Sequence, residues 1–311
     1  MRALLIVNPQ ATSTTQLRRD VIARALASEI DLEVVQTRYR GDAAAQAAGA
    51  ANRGLDLVLT LGGDGTVNEV VNGLLDAGGA GRPNELPVLA PIPGGNANVF
   101  LRSLGLPMDP IDATGRILAA IAAGKTRTIG IGQADDRYFL FCAGVGIDAE
   151  VVRAMEGLRA SGRKASDALY VWTTLRQYFA VTDRRHPALT LERPGQPRVE
   201  HLFLGIVSNS APWTYLGRRP VNPNPLADFD SGLDLFALRR LRPVSTLRAI
   251  RQMLSATNRV LHGANVLSLH DESEFVLQST RPIALQVDGE YMGEYDRVAF
   301  RSIRRALRVI T

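Results

Sequence analysis

Three short blocks in this chain carry residue types suited to holding phosphate and moving a proton. The first is Leu61-Gly62-Gly63-Asp64-Gly65-Thr66-Val67-Asn68-Glu69, where an apolar run ends in glycines and an amphipathic helical pattern begins at once. Glycines let a backbone approach a bulky anion and adopt positive φ. Free N–H groups at a helix start favour phosphate oxygens. Asp64 stands where a carboxylate coordinates a cation or caps the helix, and Thr66 and Asn68 add short polar groups. Taken alone, the block also reads as a tight turn capped by Asp64 or Thr66. The second block, Pro93-Gly94-Gly95-Asn96-Ala97-Asn98-Val99-Phe100, again joins an apolar run to a helix start. Asn96 and Asn98 are donors for phosphate or ribose oxygens there, or simple helix caps. The third is Val287-Asp288-Gly289-Glu290. If a strand runs through it, Asp288 and Glu290 share one side and converge, a pair suited to metal handling and proton removal from an attacking hydroxyl. A solvated acidic hairpin turn is the plainer reading.

Neither glycine block is a Walker loop, because no Gly-Lys-Ser/Thr follows, and Gly-x-Gly-x-x-Gly is absent from both. Gly144-x-Gly146 is too short a match to use. The histidines His186, His201, His262 and His270 are scattered without metal spacing. The single cysteine, Cys142, excludes a disulfide within the chain and a cysteine-based metal site. Its apolar neighbours predict a buried, inert thiol.

The elements that must position these blocks alternate over the first 125 residues. Apolar runs at 2–7, 32–37, 55–61 and 87–92 predict strands. Helical spacing marks 17–26, 42–52 and the stretch from Val67 to Leu75, and Asp109-Pro110 predicts an N-cap with proline in the first turn. Strand–helix units in series imply a parallel sheet with flanking helices. Ligands sit at the carboxyl ends of such strands, and both glycine blocks lie there. From about Thr128 short strand-like runs dominate, at 138–142, 188–191, 202–207, 233–238, 266–269, 274–277 and 283–287. They predict a mostly antiparallel β-sandwich, interrupted by helices at 166–181 and from Pro243 through Leu254. The expected domains are therefore 1–128, an α/β nucleotide-binding domain completed by 297–311, and 129–296, a β domain for the substrate. The proline-rich stretch 212–230 reads as a rim loop.

With 46% hydrophobic and 22% charged residues, the composition is globular. No apolar run approaches the ~20 residues of a membrane-spanning helix, and the first apolar run stops at Asn8-Pro9, unlike a signal peptide. The net charge of +5 suits anionic partners. No dense basic tract points to nucleic acid.

The three blocks together resemble the catalytic region of the diacylglycerol kinase family, which includes bacterial soluble diacylglycerol kinases and sphingosine and ceramide kinases. Asn8-Pro9, the Gly-Gly-Asp-Gly-Thr block with Asn68-Glu69, the Pro-Gly-Gly-x-x-Asn block, Gly144 to Asp148 and Val287 to Glu290 occur in the family's order. The first block is shared with the distantly similar NAD kinases. The Val-Asp-Gly-Glu element favours the lipid branch. The resemblance implies an ATP site lined by Asn8, Pro9, Gln10, Thr12, Thr37, Gly62, Gly63, Asp64, Gly65, Thr66, Asn68, Glu69, Gly94, Gly95, Asn96 and Asn98. It implies Glu290 as proton acceptor, with Asp288 and Asp64 at Mg²⁺ and the transferred phosphate. Asp228 and Asp230 are further metal candidates. Departures from the family pattern at Val99, Gly130 and Ser231 bear on a secondary magnesium site.

The implied activity is ATP-dependent phosphorylation of a lipid hydroxyl, most naturally diacylglycerol to phosphatidic acid. The alternatives are a kinase of the NAD kinase type and a catalytically inactive lipid-binding or regulatory protein. The expected setting is cytoplasmic, peripheral at the inner face of an anionic membrane. Arg153, Arg159, Arg163, Lys164, Arg218 and Arg219 are candidate docking charges. The sequence allows a homodimer without specifying one.

Overall fold

The computed structural model describes residues 1–11, 15–161, 167–255 and 259–311. They divide into two units, residues 1–131 with 303–311, and residues 132–302.

Unit 1 contains β1 (Arg2–Val7), α1 (Gln16–Ala27), β2 (Asp31–Gln36), α2 (Asp42–Asn52), β3 (Leu57–Gly62), α3 (Asp64–Gly78), β4 (Val88–Pro93), α4 (Val99–Ser103) and α5 (Pro110–Ala122). The strands are parallel in the order β4-β3-β1-β2. β3 lies between two neighbours with all six residues buried. Helices cover both faces of such a sheet, so its strands read as unbroken apolar runs rather than alternating ones. Leu5, Leu59 and Ile92 pack with Ile22 and Leu26 of α1 and Ile117 of α5, each worth roughly 1.5–3 kcal/mol on burial. Asp109 caps α5 by accepting from the N–H groups of Ile111 and Asp112 at 2.9 and 3.3 Å. The end of the chain returns to this unit: Val309 pairs with Leu89 in parallel, and the Ile310 N–H donates to the Leu89 carbonyl at 2.9 Å. Arg308 donates to the carbonyls of Pro83 and Leu86, each at 3.0 Å.

The following elements are β5 (Arg127–Ala134), which crosses the unit boundary, then β6 (Arg137–Phe139), β7 (Cys142–Val145), α6 (Ile147–Ala160) and α7 (Asp167–Arg176), which runs into a π turn at Gln177–Val181. Next come β8 (Leu189–Glu192), β9 (Val199–Leu202), β10 (Leu204–Ser208), β11 (Thr214–Leu216), β12 (Arg219–Val221), β13 (Leu233–Leu238), α8 (Pro243–Met253), β14 (Val266–Glu272), β15 (Glu274–Val287) and β16 (Glu290–Val309). Within unit 2 the strands β14-β13-β10-β7-β15-β16 are antiparallel neighbours, and β8 pairs with the first part of β15. The core gathers Phe139, Val207, Leu235, Phe275, Leu277 and Phe300.

Several expected elements differ in detail. The run 138–142 is two strands, broken at Leu140 and Phe141, whose N–H groups turn to a side chain instead of a neighbouring strand. The runs 274–277 and 283–287 are one strand with a register shift between Gln278 and Ile283. Pro282 lies in that shift and has no N–H for the ladder. The stretch 212–230 contains the β11–β12 hairpin and is not a structureless rim loop. No sequence signal was assigned to α6, although Val151, Val152 and Met155 bury one face of it.

Candidate active site

In unit 1 the two glycine blocks follow adjacent parallel strands, with Gly62 paired to Pro93 and the Gly94 N–H donating to the Gly62 carbonyl at 2.8 Å. The loops touch backbone to backbone. A Cβ on Gly94 would sit 2.8 Å from the Gly62 Cα and N, and one on Gly95 would sit 2.7 Å from the Gly63 Cα. None of Gly62, Gly63, Gly94 and Gly95 has positive φ. Part of the sequence-based expectation is thereby corrected: these glycines serve close approach, not left-handed geometry. The left-handed residue is Asn98, at φ 44°.

Asp64 opens α3, and its carboxylate bridges the two loops. Oδ2 accepts from the Val99 N–H at 3.0 Å and Oδ1 from the Phe100 N–H at 3.1 Å. Burial pushes its pKa up, opposed by these backbone donors. Asp64 therefore caps α4, a helix on the other loop, rather than its own. α3 has Gly63 as N-cap without a side-chain cap bond, which leaves its first-turn N–H groups without side-chain capping.

The remaining expected residues separate into two groups. Asn8, Gln10 and Thr37 cluster at the carboxyl ends of β1 and β2. The Asn8 Nδ2 donates to Thr66 Oγ1 at 3.1 Å, its Oδ1 accepts from the Gln10 N–H, and the Thr37 N–H donates to the Val7 carbonyl. Pro9 is exposed beside them, and Asn96 is exposed on the second loop. Gly65 follows Asp64 in the first turn of α3. Thr12 lies outside the described residues. Three other residues turn inward. Asn98 closes its own loop, accepting from the Gly95 N–H at 3.1 Å and donating to the Gly95 carbonyl at 2.7 Å. Asn68 is buried and accepts from Asn72 one helical turn on. Glu69 accepts from the Gly41 N–H at 2.9 Å and so caps α2. α2 and α3 are in close contact, since a Cβ on Gly73 would collide with the Ala44 carbonyl. These three residues shape the loops instead of offering free donors.

In unit 2 the Val-Asp-Gly-Glu block is a two-residue hairpin. Val287 pairs with Glu290, and Asp288 and Gly289 turn the chain at φ 47° and 80°, which is the usual Asp-Gly solution for such a turn. The expected convergence of Asp288 and Glu290 by strand alternation does not arise, because no strand runs through the block. Asp288 is 4% exposed. Its Oδ2 accepts from the Leu140 N–H at 2.7 Å, and its Oδ1 accepts from Phe141 and Cys142 at 3.0 and 3.1 Å. It anchors the hairpin to the start of β7. Glu290, half-buried, begins β16.

Sequence reasoning missed the support behind this hairpin. Gln286 Oε1 accepts from the Gly289 N–H at 2.8 Å, and Gln286 Nε2 donates to Asp148 Oδ2 at 2.8 Å. Asp148, in the first turn of α6, is buried, and that burial pushes its pKa up to about 6, opposed by Gln286. A Cβ on Gly144 would overlap the Asp148 carboxylate, so this glycine makes room for it. Glu156, two turns along α6, accepts from the Tyr291 N–H at 3.0 Å. The periodicity of Ile147, Val151, Val152 and Met155 was the available signal for α6.

Asp64, Asp288 and Asp228, expected at a magnesium ion, each accept from backbone N–H groups. Both oxygens of Asp64 and of Asp288 accept from backbone N–H groups, and Asp228 Oδ1 accepts from Asp230 and Ser231 in a surface turn. Among the described residues no group of three or more His, Cys, Asp or Glu side chains is arranged to hold a metal.

Comparison with known proteins agrees with this arrangement. The diacylglycerol kinase catalytic domain matches residues 2–134. A diacylglycerol kinase of Bacillus subtilis is 37% identical over 47% of this chain and 46% of its own length. One from Staphylococcus aureus (strain bovine RF122 / ET3-1) is 28% identical over 94% of this chain and 87% of its own. Among solved structures, a diacylglycerol kinase from Bacillus anthracis str. Sterne superimposes with a TM-score of 0.72 at 20% identity, covering 99% of this chain and 96% of that one. An NAD kinase from Archaeoglobus fulgidus, solved in complex with ATP, gives 0.55 at 13% identity, covering 100% and 94%. These two likenesses show the fold, an N-terminal α/β domain followed by a sheet-rich one. Residues 2–134 thus match the diacylglycerol kinase catalytic domain, and the chain is similar to diacylglycerol kinases along most of its length.

Proposed function

We propose that this chain is an ATP-dependent lipid kinase that moves the γ-phosphate of ATP to a lipid hydroxyl, with diacylglycerol as acceptor and phosphatidic acid as product. The observation that carries this reading is the pair of interlocked glycine loops at the start of α3. Uncapped first-turn N–H groups there favour phosphate oxygens, and the loops' lack of side chains lets a triphosphate come close. Magnesium enters as part of the MgATP substrate. The acceptor oxygen attacks the γ-phosphorus, the bond to the β-phosphate oxygen breaks, ADP leaves, and Glu290 takes the hydroxyl proton. Protein groups in such transfers mostly position reactants and screen charge. Asp64 fixes the second loop against the first, and Asp288 and Gln286 fix the turn that carries Glu290. Unit 1 would be the nucleotide domain and unit 2 the lipid domain, working peripherally on the inner face of the membrane. No helix among the described residues is long and apolar enough to cross a bilayer.

The test is transfer of label from γ-labelled ATP to diacylglycerol in mixed micelles. Label in phosphatidic acid is expected, with loss in Glu290→Gln. Label on NAD instead of lipid would indicate an NAD kinase-type enzyme. No label on any lipid, with wild type equal to Glu290→Gln, would indicate a catalytically inactive lipid-binding protein.

A further inference from the structure

α8 is amphipathic in an unusual sense. Its inward residues Ala249 and Met253 pack with Phe236, Leu241 and Tyr178. Its outward face is apolar where a polar one is the rule: Val244 is 84% exposed, Leu247 67% and Ile250 41%. Arg248 and Arg251 lie on the same helix, both exposed. Among the described residues neither forms an ion pair. The charge bias extends well beyond the helix. Between Asp234 and Asp271 the chain has six arginines and no Asp or Glu. The β11–β12 hairpin continues this face, since Arg219 Nε donates to the Leu254 carbonyl just past the end of α8 at 3.0 Å, and no acidic residue occurs between Glu200 and Asp228. By contrast Arg153, a docking charge expected from the sequence, is paired with Glu294 at 2.9 Å and stacks on Tyr291. Arg163 and Lys164 lie outside the described residues.

We propose that the outward face of α8 is the surface by which this chain docks on an anionic lipid bilayer. An interfacial helix places aliphatic side chains at the acyl boundary and arginines among the headgroups, and both are present on one face here. A second copy of the chain fits worse, because a two-fold interface would face these arginines with themselves. Nucleic acid fits worse because Val244, Leu247 and Ile250 occupy the face with no role on a phosphate backbone. α8 is also rigidly seated: the Tyr178 hydroxyl donates to the Leu241 carbonyl at 2.8 Å and lies 3.2 Å from Thr246 Oγ1. The π turn held there exposes Phe179, with the Arg184 guanidinium 5.4 Å from its ring. The proposal deepens the lipid-kinase reading and rests on it for the choice of a bilayer.

The experiment is co-sedimentation of the whole chain with phosphatidylcholine vesicles, with and without phosphatidylglycerol. Binding is expected only with phosphatidylglycerol and weakens with salt. Reversing two arginines (Arg248→Glu with Arg251→Glu) removes two headgroup attractions and is expected to weaken binding on the order of 30-fold at low salt. Val244→Ser with Leu247→Ser is expected to weaken binding at low and high salt alike. Thermal unfolding confirms that each variant is folded. Absence of wild-type binding, or equal binding by the folded variants, overturns the proposal, as does a concentration-dependent dimer that these substitutions dissociate. Phosphoryl transfer to a water-dispersed short-chain diacylglycerol needs no docking. The variants should retain it, and its absence in the wild type would overturn the kinase reading while leaving the vesicle result intact.

Discussion

Replacing Gly94 by alanine tests whether the two glycine loops are held at a fixed spacing by their missing side chains. The added Cβ would stand 2.8 Å from the Gly62 Cα and N. Carbon contacts settle at ~3.5 Å or more, so the loops must part by about 0.7 Å. The atoms it meets are backbone, on a strand end hydrogen-bonded on both sides, so no flexible side chain can give way. Gly94 does not have positive φ, which isolates the spacing from any backbone strain. Overpacking costs ~1–3 kcal/mol, and reduced freedom of the unfolded chain returns ~0.4–1 kcal/mol. The net loss is about 1–2 kcal/mol, seen as a fall of roughly 4 °C in the unfolding midpoint. Misplacing binding groups by ~1 Å costs up to ~100-fold, so ATP affinity by calorimetric titration should drop on the order of 10-fold. Gly49→Ala is the matched control. Its Cβ meets nothing within 4 Å on α2, and it should gain about 1 kcal/mol without changing ATP affinity. A Gly94→Ala protein with wild-type midpoint and wild-type ATP affinity would show that the loops breathe freely and that their spacing does not matter.

The two carboxylates of the Val-Asp-Gly-Glu hairpin should separate cleanly. Asp288→Ala strands three N–H groups, at ~1–3 kcal/mol each where water cannot reach them, and should lose several kcal/mol in denaturant unfolding. Glu290→Gln should change stability by less than about 0.5 kcal/mol and abolish turnover. Asp64→Asn should lose turnover and also about 1–2 kcal/mol of stability, because an amide NH₂ then faces the Val99 or Phe100 N–H; an undiminished unfolding midpoint would remove its capping role. Burial raises the folded pKa of Asp148 to about 6 from the ordinary carboxyl value of 3.8. The folded protein therefore binds the extra proton between those values, and stability from this group is present below ~4 and lost as pH rises through about 6. The shift amounts to ~3 kcal/mol. Denaturation of wild type and Asp148→Asn at pH 5 and pH 8 should show that decline in wild type alone.

Much of unit 1 was legible because its physics is local and repetitive. Buried parallel strands announce themselves as unbroken apolar runs, and Asp109-Pro110 and the glycine blocks mark helix starts in a few residues. What the sequence could not show was partnership across the chain. Asp64 looks like a cap for its own helix, yet it binds residues 99 and 100. Nothing local to Asp288 indicates that residues 140–142 will supply its donors, 146 or more positions away. The break in the run 138–142 has the same cause. α6 was missed because a glycine-rich lead-in at Gly144 and Gly146 resembles a turn, and its helical pattern follows without a cap signal.

The same long-range bonds explain how a two-residue turn can hold the proton acceptor proposed above. A type of turn formed by Asp-Gly is flexible in isolation, and a loosely held Glu290 would gain little from its position. Here the turn is clamped at three points. Asp288 ties it to β7, Gln286 receives the Gly289 N–H while itself bonded to Asp148, and Glu156 receives the N–H of Tyr291 next to Glu290. α6 supplies one of those clamps, Glu156, and backs a second through Asp148. On the proposed role of Glu290, polar groups of α6 hold the turn that carries it, and Glu156→Ala, which leaves the Tyr291 N–H without its acceptor, should lower turnover with little change in ATP affinity. If Glu156→Ala instead left turnover untouched while Glu290→Gln abolished it, the turn would be held without Glu156, and Asp288 with Gln286 would account for the geometry.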